Sequence, residues 1–297
     1  MAYWFDIDKM NIDRKIDVMG IINLTDNSYF AESRCLDADG NDDITRITGR
    51  AGKMIQDGAT ILDIGACSTR PGSDPVGENE EWRRLAPALT AIRKAFPDIS
   101  ISVDTYWPSV VRRTYDLIGR FIVNDVTAGE GMYEKVNASG TSDEPGEMLR
   151  AVAELDIPLV AMHMRGNPKT MQTLTEYGDV TSDVVDYFRG FAARAESAGV
   201  KDWILDPGFG FAKTVEQNYQ LLRELDHFSI FGKRILVGMS RKSMIFRKFG
   251  ITPEESLPAT QVLHYKALCL GADMLRVHDV AEAVRTVALY RELEKQQ

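Results

Sequence analysis

The sequence predicts an α/β protein with a single (β/α)8 (TIM) barrel as its fold. Short apolar segments alternate with helical segments eight times within 297 residues. Several of these segments are uninterrupted apolar runs, as expected of strands buried on both faces. Polar residues also stand at the C-terminal ends of all eight strands, where such barrels carry their active sites. A doubly wound sheet is the alternative, but the glycine-rich turn typical after its first strand is missing at 23–26.

The first half of the chain supplies four predicted strand–helix units. Residues 1–16 are mixed and charged, and they predict a short N-terminal hairpin or arm before a barrel over 17–297. The predicted strands are 18–22, 60–65, 99–103 and 121–123, and the helices are 44–57, 78–96, 108–118 and 148–155. Gly58 and Pro97 follow two of these helices, and Pro108 opens a third. The segment 130–146, rich in Gly, Ser, Asn, Asp and Glu, predicts a surface insertion.

The second half repeats the pattern and ends on a helix. The predicted strands are 158–162, 203–206, 234–238 and 272–277, and the helices are 179–199, 215–225, 258–271 and 280–294, with a further short helix that ends near Gly250. The Pro207-Gly208 pair stops the second of these strands at once. The alternation leaves no room for a second domain, so we expect one domain over 1–297.

Composition excludes several classes of partner. The net charge of −9 argues against nucleic acid or an anionic membrane as a whole-surface partner. The three cysteines, Cys35, Cys67 and Cys269, are far apart and show no metal-binding or disulfide spacing, which fits a reducing cytoplasm. We find no signal peptide and no run of about 20 apolar residues that could span a membrane.

Asp206 ends a buried apolar strand and therefore needs a partner. An unpaired buried carboxylate costs several kcal/mol. A basic side chain could supply the partner, or a ligand with paired N–H donors could bind the carboxylate in bidentate fashion. Gly208 and Gly210 would allow a flat ligand to approach the backbone. With Asp104 and Asn124 at other strand ends, the residues predict half of a site suited to a donor-rich heterocycle.

Basic residues gather on the last two strands. Residues 240–243 (SRKS) precede a helix, and Arg276 and His278 alternate, so they point to the same side. Barrels of this type often bind phosphate here. These residues and Arg70 predict an anion-binding half, with Lys242 near the boundary. The structural alternative is that Arg276 pairs with an acidic residue, and Asp63 and Asp125 are assigned structural roles.

Eight sequence motifs, taken together, resemble those of a known family. In chain order they are 19–25 (MGIINLT), 63–65 (DIG) with 68–72 (STRPG), 102–105 (SVDT), 124–126 (NDV), 162–172 (MHMRGNPKTMQ), 205–211 (LDPGFGF), 240–243 (SRKS) and 275–280 (LRVHDV). The chain resembles the dihydropteroate synthase family over 18–288. The resemblance implies condensation of 4-aminobenzoate with a 7,8-dihydropterin that carries a hydroxymethyl diphosphate, in a cytoplasmic homodimer.

The resemblance also implies roles for individual residues. The pterin would be held by Asp104, Asn124, Asp206 and Lys242, and the diphosphate by Asn23, Thr69, Arg70, Arg276 and His278, with Asn23 acting through Mg²⁺. Met162 would also be a substrate-binding residue. The 4-aminobenzoate pocket would be shaped by Pro71, Phe211 and Ser243. Among these residues, Asn23, Arg70, Lys242, Arg276 and His278 would be catalytic.

The first loop departs from the family pattern and leaves alternatives open. The usual Thr-Pro-Asp-Ser-Phe is Thr-Asp-Asn-Ser-Tyr at 25–29. The loop's role in ordering 4-aminobenzoate is therefore in doubt, and a non-catalytic pterin-binding paralogue is one alternative. A methyltetrahydrofolate:corrinoid methyltransferase-like barrel is another, although it has no need of an anion site. A Schiff-base aldolase that uses Lys242 is the third.

Overall fold

The structure is a computed structural model that describes residues 14–24, 43–67, 76–130 and 145–294. Eight strands are found in these ranges: β1 (Asp17–Asn23), β2 (Ile61–Gly65), β3 (Ser100–Asp104), β4 (Ile122–Asp125), β5 (Leu159–Met162), β6 (Trp203–Asp206), β7 (Leu236–Val237) and β8 (Met274–Val277). The helices are α1 (Ile44–Gln56), α2 (Glu78–Ala95), α3 (Pro108–Ile118), α4 (Glu147–Leu155), α5 (Val180–Ala198), α6 (Val215–Arg223), α7 (Ser243–Phe249), α8 (Leu257–Cys269) and α9 (Val280–Leu293). In the described ranges, we find no helix long and apolar enough to cross a bilayer.

The strands form one parallel barrel. Their order is β6-β5-β4-β3-β2-β1-β8-β7, and every neighbouring pair is parallel. A parallel bridge between Leu205 and Ile235 joins the two outer strands, and the Leu205 amide donates to the Arg234 carbonyl at 2.9 Å. The fold class predicted from the sequence is therefore confirmed.

Local sequence explains where several helices begin and end. The Asp43 side chain accepts a hydrogen bond from the Arg46 amide and caps α1, and Asp179 caps α5 in the same way. Thr214 and Gln217 form a reciprocal capping box at the start of α6. Gly199, at φ 81°, ends α5 in the left-handed conformation that glycine adopts without strain.

Two layers of side chains inside the barrel explain where the site lies. One buried cluster is apolar and takes one residue from each of seven strands: Met19, Ile61, Ile122, Val160, Ile204, Leu236 and Met274. Side chains two residues apart on a strand point to the same side. Five of these strands carry a further inward-facing residue two positions later in the sequence: Asp63, Asn124, Met162, Asp206 and Arg276. The apolar layer therefore supports a mainly polar layer nearer the C-terminal end of the barrel.

The elements depart from the predicted boundaries in a few places. β7 is shorter than the predicted 234–238, and just before its start the Ile235 amide donates to the Asp273 side chain at 2.9 Å. A 3-10 segment, Leu225–Phe231, follows α6 and buries Leu225 and Phe228. The predicted N-terminal arm up to residue 13, and 131–144 of the predicted insertion, lie outside the described residues.

Candidate active site

Asp63 lies at the centre of a hydrogen-bond network inside the barrel. Its side chain is fully buried, and it accepts the Ser102 hydroxyl at 2.6 Å. The Asn124 side-chain amide donates to its two oxygens at 3.2 and 3.3 Å. The Nε of Arg276 donates to it at 2.7 Å. The structural role that the sequence suggests for Asp63 is therefore incomplete, because this carboxylate holds two residues predicted for the site.

Arg276 joins two carboxylates. Its Nη2 lies 2.6 Å from Asp63 Oδ2 and 2.8 Å from Asp104 Oδ2. Burial opposes its charge, but attraction to Asp63 and Asp104 outweighs burial and raises the pKa of Arg276. The pairing with acidic residues is the structural alternative that the sequence left open. It also brings the two predicted halves of the site into direct contact.

Asp104 ends β3 opposite Asn124. Burial raises the pKa of Asp104 to about 7; Arg276 opposes this shift, while Asp63 and Asp125 add to it. Asp104 therefore takes up a proton more readily than an ordinary aspartate. Asp125 has a different environment, because it accepts hydrogen bonds from the Thr127 amide, the Thr127 hydroxyl and the Gly129 amide. These bonds hold the loop after β4, in agreement with the structural role expected for Asp125.

Asp206 and Lys242 form the opposite wall of the polar layer. Asp206 is buried at the end of β6, and its Oδ1 accepts the Gly208 amide at 2.8 Å. Burial raises the pKa of Asp206, while the Lys242 charge lowers it. Lys242 donates to the Phe209 carbonyl. Burial lowers the pKa of Lys242 to about 8, against the attraction of Asp206. Each charge thus reduces the cost of burying the other.

The turn after β6 needs its glycines for contacts within the protein. Gly208 has a φ of 72°, and a Cβ there would lie 2.0 Å from the His163 carbonyl oxygen. Gly210 has a φ of 83°, and a Cβ there would lie 3.2 Å from Lys242 Cδ. The sequence suggests that these glycines admit a flat ligand. The close neighbours in the structure are instead a strand end and the lysine side chain.

Lys213 is a second buried lysine beside this turn. Its Nζ lies 3.0 Å from the Gly208 carbonyl, 3.1 Å from the Phe211 carbonyl and 2.9 Å from His163 Nδ1. Burial lowers the pKa of Lys213 well below its usual value, although Asp206 attracts the charge. Burial, followed by Lys213, also lowers the pKa of His163. His163 is therefore neutral at pH 7 and contributes to the turn as a packed, hydrogen-bonded ring.

His278 and Arg241 differ from the predicted cluster of cations. Burial, followed by Arg276, lowers the pKa of His278 to about 3, so the ring is neutral at pH 7. His278 Nδ1 lies 3.1 Å from the Ser240 hydroxyl. Arg241 binds both oxygens of Asp279 at 2.8 Å and also donates to two backbone carbonyls. Arg241 therefore holds its own loop, and the anion-binding half contains fewer charges than the sequence suggests.

An apolar wall adjoins Lys242. The Lys242 ammonium lies 4.5 Å from the centre of the Phe211 ring. Phe211 packs, together with Cys67 and Trp107, against a small buried cluster of Tyr106, Val126, Met162, Met164, Met171 and Ala212. Ser243 begins α7 directly after Lys242. Met162, Phe211 and Ser243, which the resemblance assigns to substrate binding, thus lie along one side of the polar layer.

Asn23 ends β1 and faces Gly65, which in turn faces Asp104. The other predicted residues of the first two loops, Thr69, Arg70 and Pro71, lie outside the described residues, as does the unusual segment 25–29. In the ranges that the structure describes, no group of three His, Cys, Asp or Glu residues could hold a metal ion.

Glu81 and Lys213 are ionisable residues near the site that the sequence analysis does not identify. Glu81 is fully buried on α2. Burial raises the pKa of Glu81 to about 8; Thr105 opposes this shift and Asp104 adds to it. The sequence contains a signal for the burial of Glu81, because this residue lies on the same helix face as the buried residues Leu85, Ala88 and Ile92. A carboxylate on the apolar face of a helix is unusual.

Comparisons with known proteins agree with this geometry. Residues 19–278 match the family described as pterin binding enzyme. The dihydropteroate synthase of Escherichia coli K12 is 40% identical over 272 residues, which are 91% of this chain and 89% of that protein. The Yersinia pestis dihydropteroate synthase, solved in a sulfonamide drug complex, is 33% identical with a TM-score of 0.83 and 96% of both chains covered.

A third relative was solved with a small molecule bound. The Xanthomonas albilineans dihydropteroate synthase, solved with 4-aminobenzoic acid, is 32% identical and has a TM-score of 0.81. The match covers 96% of this chain and 95% of that one. Both the sequence and the structure are therefore shared over nearly the full length. The chain belongs to the dihydropteroate synthase family of pterin-binding enzymes.

Proposed function

We propose that this chain condenses 6-hydroxymethyl-7,8-dihydropterin diphosphate with 4-aminobenzoate, giving 7,8-dihydropteroate and diphosphate for folate biosynthesis. The observation that carries the proposal is the polar layer at the C-terminal end of the barrel. There, three buried or partly buried carboxylates and two cations stand beside an apolar wall. This combination suits a substrate that joins a donor-rich ring to an anion.

The pterin ring would bind the carboxylate side of the layer. In this proposal Asp206 accepts from the 2-amino group and the N3–H edge, which a carboxylate can do in bidentate fashion. Asp104, Asn124, Met162 and Lys242 complete the contacts to the ring. The raised pKa of Asp206 supports the proposal, because a ligand with paired N–H donors would stabilise the buried carboxylate.

The diphosphate would bind the cationic side. Arg276 supplies a fixed positive charge, and neutral His278 supplies a ring N–H, since its Nδ1 can accept from Ser240. Thr69 and Arg70 would close over the anion from the second loop. Asn23 offers a hard oxygen of the kind that Mg²⁺ takes, and this ion commonly keeps several waters with only one or two protein ligands. When bound, Mg²⁺ would neutralise charge on the leaving group.

The reaction would proceed in an SN1-like order. The C–O bond of the pterin methylene breaks first, and its electron pair leaves with diphosphate. The amine lone pair of 4-aminobenzoate then forms the C–N bond, and the ammonium proton passes to solvent. The chain's own residues stabilise the departing negative charge and the electron-poor pterin, and they exclude water. An aniline nitrogen is already nucleophilic at neutral pH, so no strong general base is required.

The apolar wall supports a place for 4-aminobenzoate. In this proposal Phe211, Pro71 and the Ser243 end of α7 contact the ring, while Lys242 borders both substrates. The cation next to the Phe211 ring would favour the approach of a carboxylate-bearing aromatic. The gathering of Lys242, Arg276 and His278 argues against a corrinoid methyltransferase, which has no leaving anion to bind.

Three further expectations remain part of this proposal. The whole chain forms one domain, with residues 1–16 as an arm, and it acts in the cytoplasm. It also forms a homodimer, and the exposed apolar side chains Val262 on α8 and Leu289 and Leu293 on α9 support that assembly. Light scattering should give twice the chain mass of 33.2 kDa, and Leu289→Lys should shift the protein toward monomer.

The test is a coupled assay of diphosphate release with and without 4-aminobenzoate and Mg²⁺. Formation of dihydropteroate by the purified protein would exclude a non-catalytic paralogue. Diphosphate release in the absence of 4-aminobenzoate would support ionisation before attack. If 4-aminobenzoate is needed for any release, the SN1-like order is wrong. Borohydride treatment with substrate should trap no adduct at Lys242, and a trapped adduct would favour the aldolase alternative.

A further inference from the structure

We propose that Asp63 is a positioning residue of the pterin site, which fixes the side chains of Asn124 and Arg276 without touching substrate itself. The inference rests on the proposed function, because it concerns how that site is shaped. From the sequence alone, Asp63 is assigned only a structural role, because it is followed by more strand. The inference follows from the contacts that this carboxylate makes inside the barrel.

The first contact fixes the orientation of Asn124. An ionised carboxylate can only accept hydrogen bonds, so the group that Asn124 turns toward Asp63 must be its NH₂. The two N···O distances of 3.2 and 3.3 Å agree with this orientation. The Asn124 amide oxygen is consequently turned away from Asp63. It is left as the acceptor that a ring N–H of the pterin can use.

The second contact fixes the plane of Arg276. Nε and Nη2 of Arg276 lie 2.7 and 2.6 Å from the same oxygen of Asp63, while Nη2 also reaches Asp104 at 2.8 Å. Asp63 is fully buried, whereas the Arg276 and Asp104 side chains are 22% and 13% exposed. Asp63 is thus the deeper and more permanent partner. If the pterin forms hydrogen bonds with the Asp104 carboxylate, Asp63 still holds the Arg276 guanidinium in place for the diphosphate.

Ser102 completes the arrangement. Its hydroxyl donates to Asp63 at 2.6 Å, and it faces Asp63 across neighbouring strands. Donors from β3, β4 and β8 therefore converge on one carboxylate of β2, which sits in the layer just beyond the apolar cluster of the barrel. A side chain held from three strands has little freedom to move. Asp63 can therefore hold Asn124 and Arg276 in fixed positions relative to the barrel.

Asp63→Asn provides the main test, with 6-hydroxymethylpterin as the binding probe. The substitution keeps the shape of the side chain but removes the charge, and its own NH₂ would compete with that of Asn124. Hydrogen bonds to charged groups are stronger than those between neutral groups, so affinity for the pterin should fall about 10- to 100-fold. The KM for 4-aminobenzoate should stay within about twofold, because Asp63 does not contact the apolar wall.

The pH profile gives a readout that a merely structural role would not change. The charged or titratable groups around Asp104 include Asp63, Cys67, Glu81, Asp125, Lys242 and Arg276. Asp63 raises the pKa of Asp104, so its neutralisation lowers that pKa. In Asp63→Asn, the pH at which pterin binding is lost on acidification should therefore move downward.

Asp17→Asn is a matched control at the opposite end of the barrel. Asp17 is also a buried carboxylate with an arginine partner, Arg234, at 2.8 Å. Its substitution should lower stability while leaving the pterin affinity and its pH midpoint unchanged. If Asp63→Asn does not fold, Ser102→Ala removes one donor to Asp63 and should weaken pterin binding about three- to tenfold.

The outcomes separate this inference from the proposed function. Wild-type protein that forms no dihydropteroate would refute the proposed function, whatever the variants do. If the wild-type protein is active, the role of Asp63 is overturned when Asp63→Asn binds pterin within twofold of the wild-type affinity. If only Ser102→Ala folds, the same criterion applies to that variant. Equal losses for pterin and 4-aminobenzoate would also overturn the role of Asp63, as would an affinity loss in Asp17→Asn as large as that in Asp63→Asn.

Discussion

Replacement of Arg276 by methionine should destabilise the fold as well as impair binding. The change removes three short contacts to Asp63 and Asp104 and leaves the fully buried Asp63 with only the donors Ser102 and Asn124 among the described residues. Removal of one partner from a buried ion pair typically costs about 3–5 kcal/mol. With an unfolding entropy of roughly 2.1 cal/mol/K per residue over 297 residues, the melting temperature should fall by about 5–8 °C.

The same variant should show a deficit that grows with pH. Burial already raises the pKa of Asp104 to about 7 although Arg276 opposes the shift, so loss of Arg276 raises that pKa further. An acid whose pKa is higher in the folded state than in the unfolded state takes up a proton on folding. Stability is then lost as pH rises toward the folded-state pKa. The difference from wild type should therefore be larger at pH 8.5 than at pH 6.

Urea unfolding of Arg276→Met at these two pH values provides the measurement. Arg285→Met, which breaks an exposed ion pair with Glu282, should change stability by less than about 0.5 kcal/mol and serves as the control. The double variant Asp63→Asn with Arg276→Met should recover part of the loss, since it removes both buried charges. A deficit below about 1 kcal/mol, or one equal at both pH values, would refute this reasoning.

Three further variants test the remaining groups. Asp206→Ala should reduce pterin affinity by about 100-fold or more in calorimetry while unfolding stays cooperative; retained affinity would show that the pterin side is misassigned. The value of kcat/KM should fall above about pH 8 as Lys242 loses its proton. In Lys242→Arg this fall should occur at a higher pH; a fall at the same pH would show that Lys242 is not the titrating group. Lys213→Met removes the contacts of Lys213 with the Gly208 carbonyl, the Phe211 carbonyl and His163, so both melting temperature and pterin affinity should fall, the latter about tenfold; unchanged affinity would limit Lys213 to a structural role.

The sequence predicted the fold well because the barrel repeats a local signal. Several strands are short apolar runs, several helices have a cap or stop residue in the sequence, and the order of elements needs no long-range information. β7 is the element that the sequence describes least well. Just before its start, the Ile235 amide donates to the side chain of Asp273, which is 38 residues away in the sequence.

The candidate site was predicted in composition but not in connectivity. The residues at the strand ends could be identified one at a time, since each follows an apolar run. Arg276 and Asp63 are 213 residues apart in the sequence, so no local sequence pattern predicts that they pair. Lys213 escaped notice for the same reason, because a lysine in a glycine-rich turn resembles an ordinary exposed residue until burial and its three acceptors are known.

The layered arrangement suggests how an acidic protein can bind an anionic substrate. In the part of the site that the structure describes, Arg276 and Lys242 carry positive charge, His278 is neutral, and Asp63, Asp104 and Asp206 are carboxyl groups. These residues offer no excess of positive charge to a free diphosphate. In our proposal the pterin ring first donates hydrogen bonds to Asp104 and Asp206. That contact frees part of the Arg276 charge for the anion, while Asp63 keeps the guanidinium in position. The ring and the diphosphate belong to one molecule, so binding of the first favours binding of the second.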